Sequence, residues 1–522
     1  MVSRRDFLGS ASAATLACVV RDTFALPASF QPFLSNSVDQ AKSFDPIKHV
    51  KIAIGTGGHG HCFPGATVPF GAVQLSPDTG VRDWDHCSGY HYNDNAILGF
   101  SHTHLSGTGC IDMLDFLLMP ATDDFHFEPS AAVDSPASYR AHFSHSDEIA
   151  VPGYYSVALQ ESKVKAELTA TERVGFHKYT FPSSQKACFL LDLMHVGINQ
   201  VDPTKPVAIP PPIRWSSLKV VGNDTIVGGR STDVWAMGRE IYFSMKLSKP
   251  FTSIDVYSDG KKVGSEGEVR GTALRAVLHF ETHANEVVHV KTGISAVSVE
   301  GATANIHAEI PGWDFEGVHK AAQAAWSKEL RRISVSSDNE KYLEIFYTGL
   351  YHMMVAPTLF EDADGRYRGM DGKVHTLPKG SHNYSTFSLW DTYRALHPMY
   401  TLFMPERVPD FVNCLIRMAE ESPEGVPIWP LQGRETGCMV GYHSAPVVAE
   451  ALAKRLPGID AKAAYAVFKK RAEVDDYRGL AAYRKLGYVP CDEQDESASK
   501  TLDYSYDDRA VSAIATAAGA NE

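Results

Sequence analysis

The chain has 522 residues, more than one hydrophobic core usually serves, so two domains are expected. Its 44% hydrophobic and 21% charged residues describe a globular protein and exclude a disordered one. A formal net charge of -13 speaks against nucleic acid, which calls for a basic face, and suits a secreted protein acting on neutral substrates.

The N-terminus reads Ser3-Arg4-Arg5-Asp6-Phe7-Leu8-Gly9, followed by an Ala- and Ser-rich apolar run from Ser10 to Val20. Two arginines before such a run predict a twin-arginine leader over residues 1–28, cut near Ala25 or Ala28, and hence a periplasmic or secreted bacterial protein. The run is too short to span a bilayer, and no other stretch reaches the roughly 18 apolar residues of a membrane helix. Of eight cysteines, Cys18 belongs to the leader. The other seven include no CxxC pair, so most read as buried thiols. A bridge from Cys62 to Cys87 or Cys110 stays open.

From residue 45 to about 295 the chain reads as β. Short alternating runs recur at Lys51–Ile54, Gly153–Leu159, Ala166–Ala170, Gly175–Phe181, Ala187–Asp192, Ile241–Lys246 and Arg275–Phe280, separated by Gly, Pro, Asn and Asp. Many short strands with turn signals predict a β-sandwich. The period changes after Pro311. Val318, Ala321, Ala322, Ala325, Trp326 and Leu330 recur on one helical face, which predicts a linking helix over 312–337. Helical patterns then dominate 338–522, so a domain of different class follows the sandwich.

Two stretches carry chemistry. The first, Gly55 to Pro120, holds His59, His61, His86, His91, His102 and His104. Such density invites a soft metal, yet no HExxH-type motif accompanies it, and the glycine-rich segment lacks the ending of a phosphate loop. Tight polar loops at a sandwich edge fit better, with Trp84 and Tyr90 as an aromatic floor for a sugar. The second, Ser385 to Tyr442, sets Trp390, Asp391, Tyr393, Arg394 and His397 close together and runs on to Trp429 and Glu435. A carboxylate beside Trp and Arg suits a polyol site, where the ring face stacks and hydroxyls are hydrogen-bonded. The plainer alternative is a helix start with Asp391 capping and Trp390 in the core.

GTGGHGHCFPGATVPFGAVQLSPDTG (55–80), GYHYNDNAILGFSHTHLSGTGC (89–110) with Asp112, SLWDTYRALHP (388–398), IWPLQGRETGCMVGYHSAPVVAEA (428–451) and TLDYSYDDRAVSAIA (501–515) occur in this order. Together they resemble glycoside hydrolase family 92, mostly bacterial exo-acting α-mannosidases, over residues 45 to 519. The resemblance implies a β-sandwich followed by an (α/α)6 barrel, incomplete in this chain. It also implies calcium-assisted hydrolysis of α-mannosides or N-glycans with inversion, one carboxylic acid protonating the leaving oxygen and one carboxylate activating water. By that resemblance Asp391 binds mannose hydroxyls, kept ionised by nearby cations. Trp84 and Trp390 supply aromatic surface, and Arg434 and Glu435 line the same pocket, Glu435 held ionised by Arg434. The general acid, the general base and most calcium ligands are expected in motifs beyond Glu522, leaving no catalytic residue and no metal ligand to assign here. Three functions compete: an exported α-mannosidase, a non-catalytic carbohydrate-binding remnant of one, and, last, a metal-dependent hydrolase built on the histidines.

Overall fold

The structure is a computed structural model and describes residues 44–82, 84–123, 125, 139–198 and 212–520. The leader expected over residues 1–28 lies outside the described residues. From Ile47 onward the chain packs as one unit.

Its first half is two antiparallel sheets. One has seven strands, in the spatial order Ser76–Asp78, Gly99–Ser101, Leu117–Ala121, Ser184–Asp192, Leu274–Thr282, Ser253–Ser258 and Lys261–Val263. The other has nine: Glu268–Gly271, Ile213–Val221, Thr225–Thr232, Arg239–Leu247, Glu286–Ser295, Val174–Phe181, Lys165–Ala170, Tyr154–Ala158 and Ile149–Val151. Strand Val174–Phe181 shows why the sheets face each other. Tyr179 and Phe181 point into the sandwich and meet Phe189 of the opposite sheet at 5.0 and 5.6 Å between ring centroids. Val174 and Phe176 point to the other face and pack with Ile306, Ile310 and Phe315 from the helices. Both faces of this strand are therefore covered, and apolar or aromatic residues stand on each.

The helices that follow are α1 (Val299–Glu309), α2 (Phe315–Leu330), α3 (Glu340–His352), α4 (Leu389–Thr392), α5 (Leu396–Phe403), α6 (Val408–Glu421), α7 (Ser444–Ala453), α8 (Ala461–Glu473), α9 (Leu480–Leu486) and α10 (Ser497–Ala517). Short side chains as N-caps start several of them. Ser298 caps α1, Asp314 accepts from Gly317 N at 2.9 Å to open α2, and Asn339 accepts from Lys341 N at 3.1 Å to open α3. Helix α1 lies flat on strand Glu286–Ser295. A Cβ at Gly293 would sit 2.3 Å from Ala302 O, so the close approach needs glycine there. Helix α10 packs on α7 and α8.

Sandwich followed by helices is the order expected from the sequence. Two local readings change. Lys51–Ile54 alternates but forms turns, not a strand: Lys51 N bonds Thr348 Oγ1 at 2.8 Å and Ile54 N bonds Lys51 O at 2.9 Å. Helix α1 begins before Pro311, where the pattern had shown no helix.

Candidate functional site

The site is built where the sandwich meets the helical segment, and buried charge fixes the sandwich side. Asp115, Arg230 and Arg239 are all fully buried. Arg230 donates to Asp115 Oδ1 at 2.9 Å, and Arg239 grips both oxygens at 2.8 and 2.9 Å. Burial alone would raise the Asp115 pKa, but Arg239 and Arg230 outweigh it and hold the carboxyl well below the usual range. The same Arg239 donates to Gln432 Oε1 at 2.9 Å, tying the sandwich to the turn that carries Trp429. Asp112 accepts from Trp235 N at 3.0 Å and Ala236 N at 2.7 Å. Trp235 thereby meets Trp429 with ring centroids 4.4 Å apart. Leu105, Met113, Ala236, Trp429 and Leu431 make one small apolar cluster across the junction.

Over this cluster lies a cavity of about 190 Å³. Sandwich loop residues Leu105 to Thr108 form one wall, and Thr386, Ser388, Asp391, His397 and Trp429 form the other. Asp391 stands in the first turn of α4 with its side chain exposed. Ser388 Oγ donates to Asp391 Oδ2 at 2.6 Å, and Trp429 Nε1 donates to Ser388 Oγ at 3.1 Å. This relay aims the carboxylate without consuming all its acceptor capacity. Burial lowers the imidazoles of His352 and His397 to about 4, so both are neutral walls at physiological pH.

The other residues singled out from the sequence fall as follows. Trp84 is 52% exposed. Its indole donates to His59 Nδ1 at 2.9 Å, and its ring lies so close to Gly109 that a Cβ there would be 2.5 Å from the ring. Trp84 therefore backs the loop whose residues 105–108 face Asp391. Tyr90 is buried, with its hydroxyl on Glu148, and is no part of a sugar floor. Trp390 is half-buried, its indole nitrogen without a partner, and Arg394 lies over its ring at 5.7 Å and over Tyr393 at 5.0 Å. Arg394 thus spends its charge on aromatic faces, and among the described residues no ion pair holds Asp391, contrary to the expected cation pairing. Arg434 likewise does not pair with Glu435: it donates to Gly238 O at 3.0 Å. Glu435 accepts from Ile428 N and Trp429 N at 2.9 Å each and from Gly437 N at 2.8 Å. Burial still raises its pKa. Neither residue is on the cavity wall; both hold the turn behind it.

The histidines have different partners. His86 bonds Asp94 at 2.9 Å, and His104 and His195 each bond Asp78 at 2.7 Å. His102 and His177 face each other at 2.9 Å in the core. Among the described residues no three His, Cys, Asp or Glu side chains assemble as a metal-holding group. The cavity residues by themselves thus do not fit a calcium site, which wants six to eight oxygens.

Sequence reading missed Ser388, Gln432 and His352; the donor Trp429 on Ser388 and the donor Arg239 on Gln432 are remote in the chain. It also missed a meeting of three quoted motifs. Tyr393 stacks on His443 at 4.2 Å, and His443 Nδ1 bonds Asp507 Oδ1 at 2.8 Å. Tyr442 N donates to Asp507 Oδ2 at 2.6 Å.

A sandwich loop closing on a Trp-Asp helix start defines a cleft suited to a polyhydroxy ligand, and the similarities to known proteins agree. The chain matches the glycosyl hydrolase family 92 N-terminal domain over residues 49–295 and the family's catalytic domain over 301–522. It belongs to glycosyl hydrolase family 92. It is similar to a family GH92 alpha-mannosidase of Bacteroides thetaiotaomicron, with 39% identity and a TM-score of 0.85, covering 91% of this chain and 64% of that one. The same alpha-mannosidase has also been solved in complex with mannoimidazole. A GH92 inverting mannosidase of that organism is 25% identical with a TM-score of 0.78, covering 91% and 63%. An uncharacterized secreted glycosidase of Arthroderma benhamiae is 25% identical over 91% of this chain and 60% of its own length. The chain thus spans somewhat less than two thirds of the length of these relatives. No helix among the described residues is long and apolar enough to cross a membrane.

Proposed function

We propose that this chain is part of an exported, calcium-dependent, inverting α-mannosidase that releases mannose from α-mannosides or N-glycans. In this reading residues 1–28 are a twin-arginine leader, 45–295 the sandwich, 312–337 a linking helix and 338–522 part of a catalytic (α/α)6 barrel, in a protein that works in the periplasm or outside the cell. Family membership supports the reaction class. The observation that carries the site is Asp391, an exposed carboxylate aimed into an interdomain cavity by the Trp429–Ser388 relay. An ionised carboxylate with free lone pairs accepts from sugar hydroxyls, and bonds of that kind contribute about 1.5–3 kcal/mol each. Trp84 and Trp390 offer aromatic surface nearby, while Arg434 and Glu435 shape the wall from behind.

Inversion needs a protonated carboxyl on one side of the glycosidic bond and a carboxylate with a water on the other. Glu435 is poorly placed for either role, since three backbone N–H groups occupy its two oxygens. Asp391 is placed as a hydroxyl acceptor. We assign the general acid, the general base and the ligands of the ion to the part of the relatives' length that this chain does not span. The 522-residue chain alone then binds sugar without turning it over, the behaviour of a carbohydrate-binding remnant.

Calorimetry with mannoimidazole tests the binding step. Binding by the 522-residue chain that falls at least tenfold in Asp391→Asn is the expected result, and equal affinity of the two would remove Asp391 from the site. Assay on an activated α-mannoside, with and without chelator, tests the rest. Chelator-sensitive turnover by the 522-residue chain would place the catalytic carboxylates among its own residues.

A further inference from the structure

His352 is the last residue of α3 and His397 the second of α5, and both line the cavity that Asp391 faces. His352 Nε2 is buried without a hydrogen bond. Its ring is fixed from the sandwich side, since a Cβ at Gly55 would lie 3.6 Å from His352 Cε1. His397 is 5% exposed, and its ring stacks on Phe387 at 6.1 Å and meets Tyr400 edge-on at 5.7 Å between centroids. Among the described residues no hydrogen bond reaches either ring.

Buried polar groups are paired as a rule, and the core of the sandwich shows it. His104 bonds Gln74 O and Asp78 at 2.7 Å each, and His102 bonds Phe116 O and His177 at 2.9 Å each. His195 and His443 also carry one unpaired ring nitrogen, but a carboxylate holds the other, Asp78 for His195 and Asp507 for His443. His352 and His397 have no such anchor among the described residues, and they share an open space. Burial keeps both neutral at physiological pH. A neutral imidazole offers one N–H donor and one bare acceptor, and a hydroxyl can meet either. An aliphatic or aryl group would leave both unpaired, at a cost in affinity. The cavity of about 190 Å³ is smaller than the roughly 300–1,000 Å³ of pockets for drug-sized ligands, so it suits one sugar ring. Asp391 is exposed and His397 is not, which puts the carboxylate at the mouth and the imidazole at the inner end.

We propose that His352 and His397 determine specificity at the inner end of the cavity, each hydrogen-bonding a hydroxyl of a sugar whose other hydroxyls reach Asp391. This role rests on the sugar reading of the cavity and extends it: the unpaired rings select a fully hydroxylated unit against a deoxy or apolar one. A site built to bond a hydroxyl rejects the analogue lacking it far more strongly than a site that only fits its shape, because its buried polar groups are then left unpaired.

His397→Phe and His352→Phe test it. Phenylalanine keeps a flat ring at each position and removes both nitrogens. Because an unpaired buried nitrogen costs stability, the ligand-free melting midpoint of each variant should equal or exceed that of wild type. Calorimetric affinity for mannoimidazole should nevertheless fall by about tenfold or more in each. Residues that only pack would give the reverse, a lower midpoint with unchanged affinity, and that result overturns the proposal. A second titration does not depend on how either variant folds: methyl α-mannoside and its 2-, 3-, 4- and 6-deoxy forms, on the unsubstituted chain and on Asp391→Asn. At least one deoxy form should bind about tenfold or more weakly to both proteins, since the missing hydroxyl is then one that meets an imidazole and not Asp391. Discrimination that disappears wholly in Asp391→Asn overturns the role of the histidines and leaves the sugar site standing. A wild-type chain that binds neither mannoimidazole nor methyl α-mannoside overturns both.

Discussion

Replacing Glu435 by alanine removes the acceptor for three backbone N–H groups, those of Ile428, Trp429 and Gly437, all within 2.9 Å. A hydrogen bond to a charged acceptor contributes about 1.5–3 kcal/mol, so the gross loss is roughly 4.5–9 kcal/mol. Against it stands the cost of burying the carboxylate, large enough to push its pKa up despite those bonds. The net destabilisation expected is about 2–4 kcal/mol, a large share of the 5–15 kcal/mol that holds a typical domain. Trp429 N is one of the freed donors, so the variant also loosens the Trp235–Trp429 contact and the indole that steers Ser388 and Asp391. Urea unfolding followed by tryptophan fluorescence measures the first effect, and calorimetry with mannoimidazole the second. Glu435→Gln, which keeps one acceptor oxygen, should fall between wild type and alanine. Wild-type stability in Glu435→Ala together with a tenfold or greater loss of sugar affinity would refute this reasoning. Glu435 would then be a direct ligand of the sugar and not a clamp on the turn.

Asp115→Ala leaves the buried Arg230 and Arg239 guanidiniums without their shared carboxylate and should cost about 3–5 kcal/mol. A melting midpoint close to wild type would show that the network relaxes freely. Burial holds His102 at about 4 and His177 well below its ordinary value. Both histidines are therefore neutral when folded but take up protons near 6.5 when unfolded. Their contribution is complete above pH 6.5 and declines as pH falls toward the folded values, by up to about 1.4 kcal/mol per unit for each. Urea midpoints at pH 7 and pH 5 should show that slope, and His177→Gln should flatten it; equal slopes would assign acid sensitivity elsewhere.

The sandwich was legible because its strands carry enough alternation to resist other readings. Val174–Phe181 and Leu274–Thr282 are each eight or nine residues long and apolar on their inner face. Lys51–Ile54 failed because four alternating residues fit a turn as easily as a strand. In the turn observed, Ile52 is buried while Ile54 is 45% exposed. Helix α1 was invisible for a related reason. It meets the sheet through Gly301 and Ala302, and small residues chosen for close approach leave no apolar stripe. Asp391, which lines the cavity, has a local neighbour: Ser388 lies three residues away on the same turn. The work of Arg434 could not be read, since its partner Gly238 O is 196 residues distant and belongs to the other domain. The histidines were read with the plainer alternative preferred, tight polar loops and not a shared metal. In the structure His86 bonds Asp94, His104 bonds Asp78 and His102 bonds His177, and no three of them converge with other ligating side chains among the described residues.

Backbone strain marks the same junction. Thr386 holds φ 63° and Gln432 φ 46°, conformations that a β-branched and a long side chain rarely adopt. Each costs of order 1–3 kcal/mol and persists only where surrounding contacts over-determine it. Those contacts are all present. Thr386 N donates to Pro430 O at 3.0 Å and its hydroxyl lies 3.0 Å from Thr358 Oγ1. Gln432 N donates to Ser385 Oγ at 2.5 Å, while its side-chain oxygen accepts from Arg239. One strained residue lines the cavity and the other carries the link back to Asp115, so the buried charge of the sandwich and the shape of the cavity wall are mechanically the same feature. The cost of burying Asp115 with two arginines is therefore explained by position as much as by stability. The network sets where the 428–435 turn can sit, the turn sets Trp429, and Trp429 sets the carboxylate that faces the cavity.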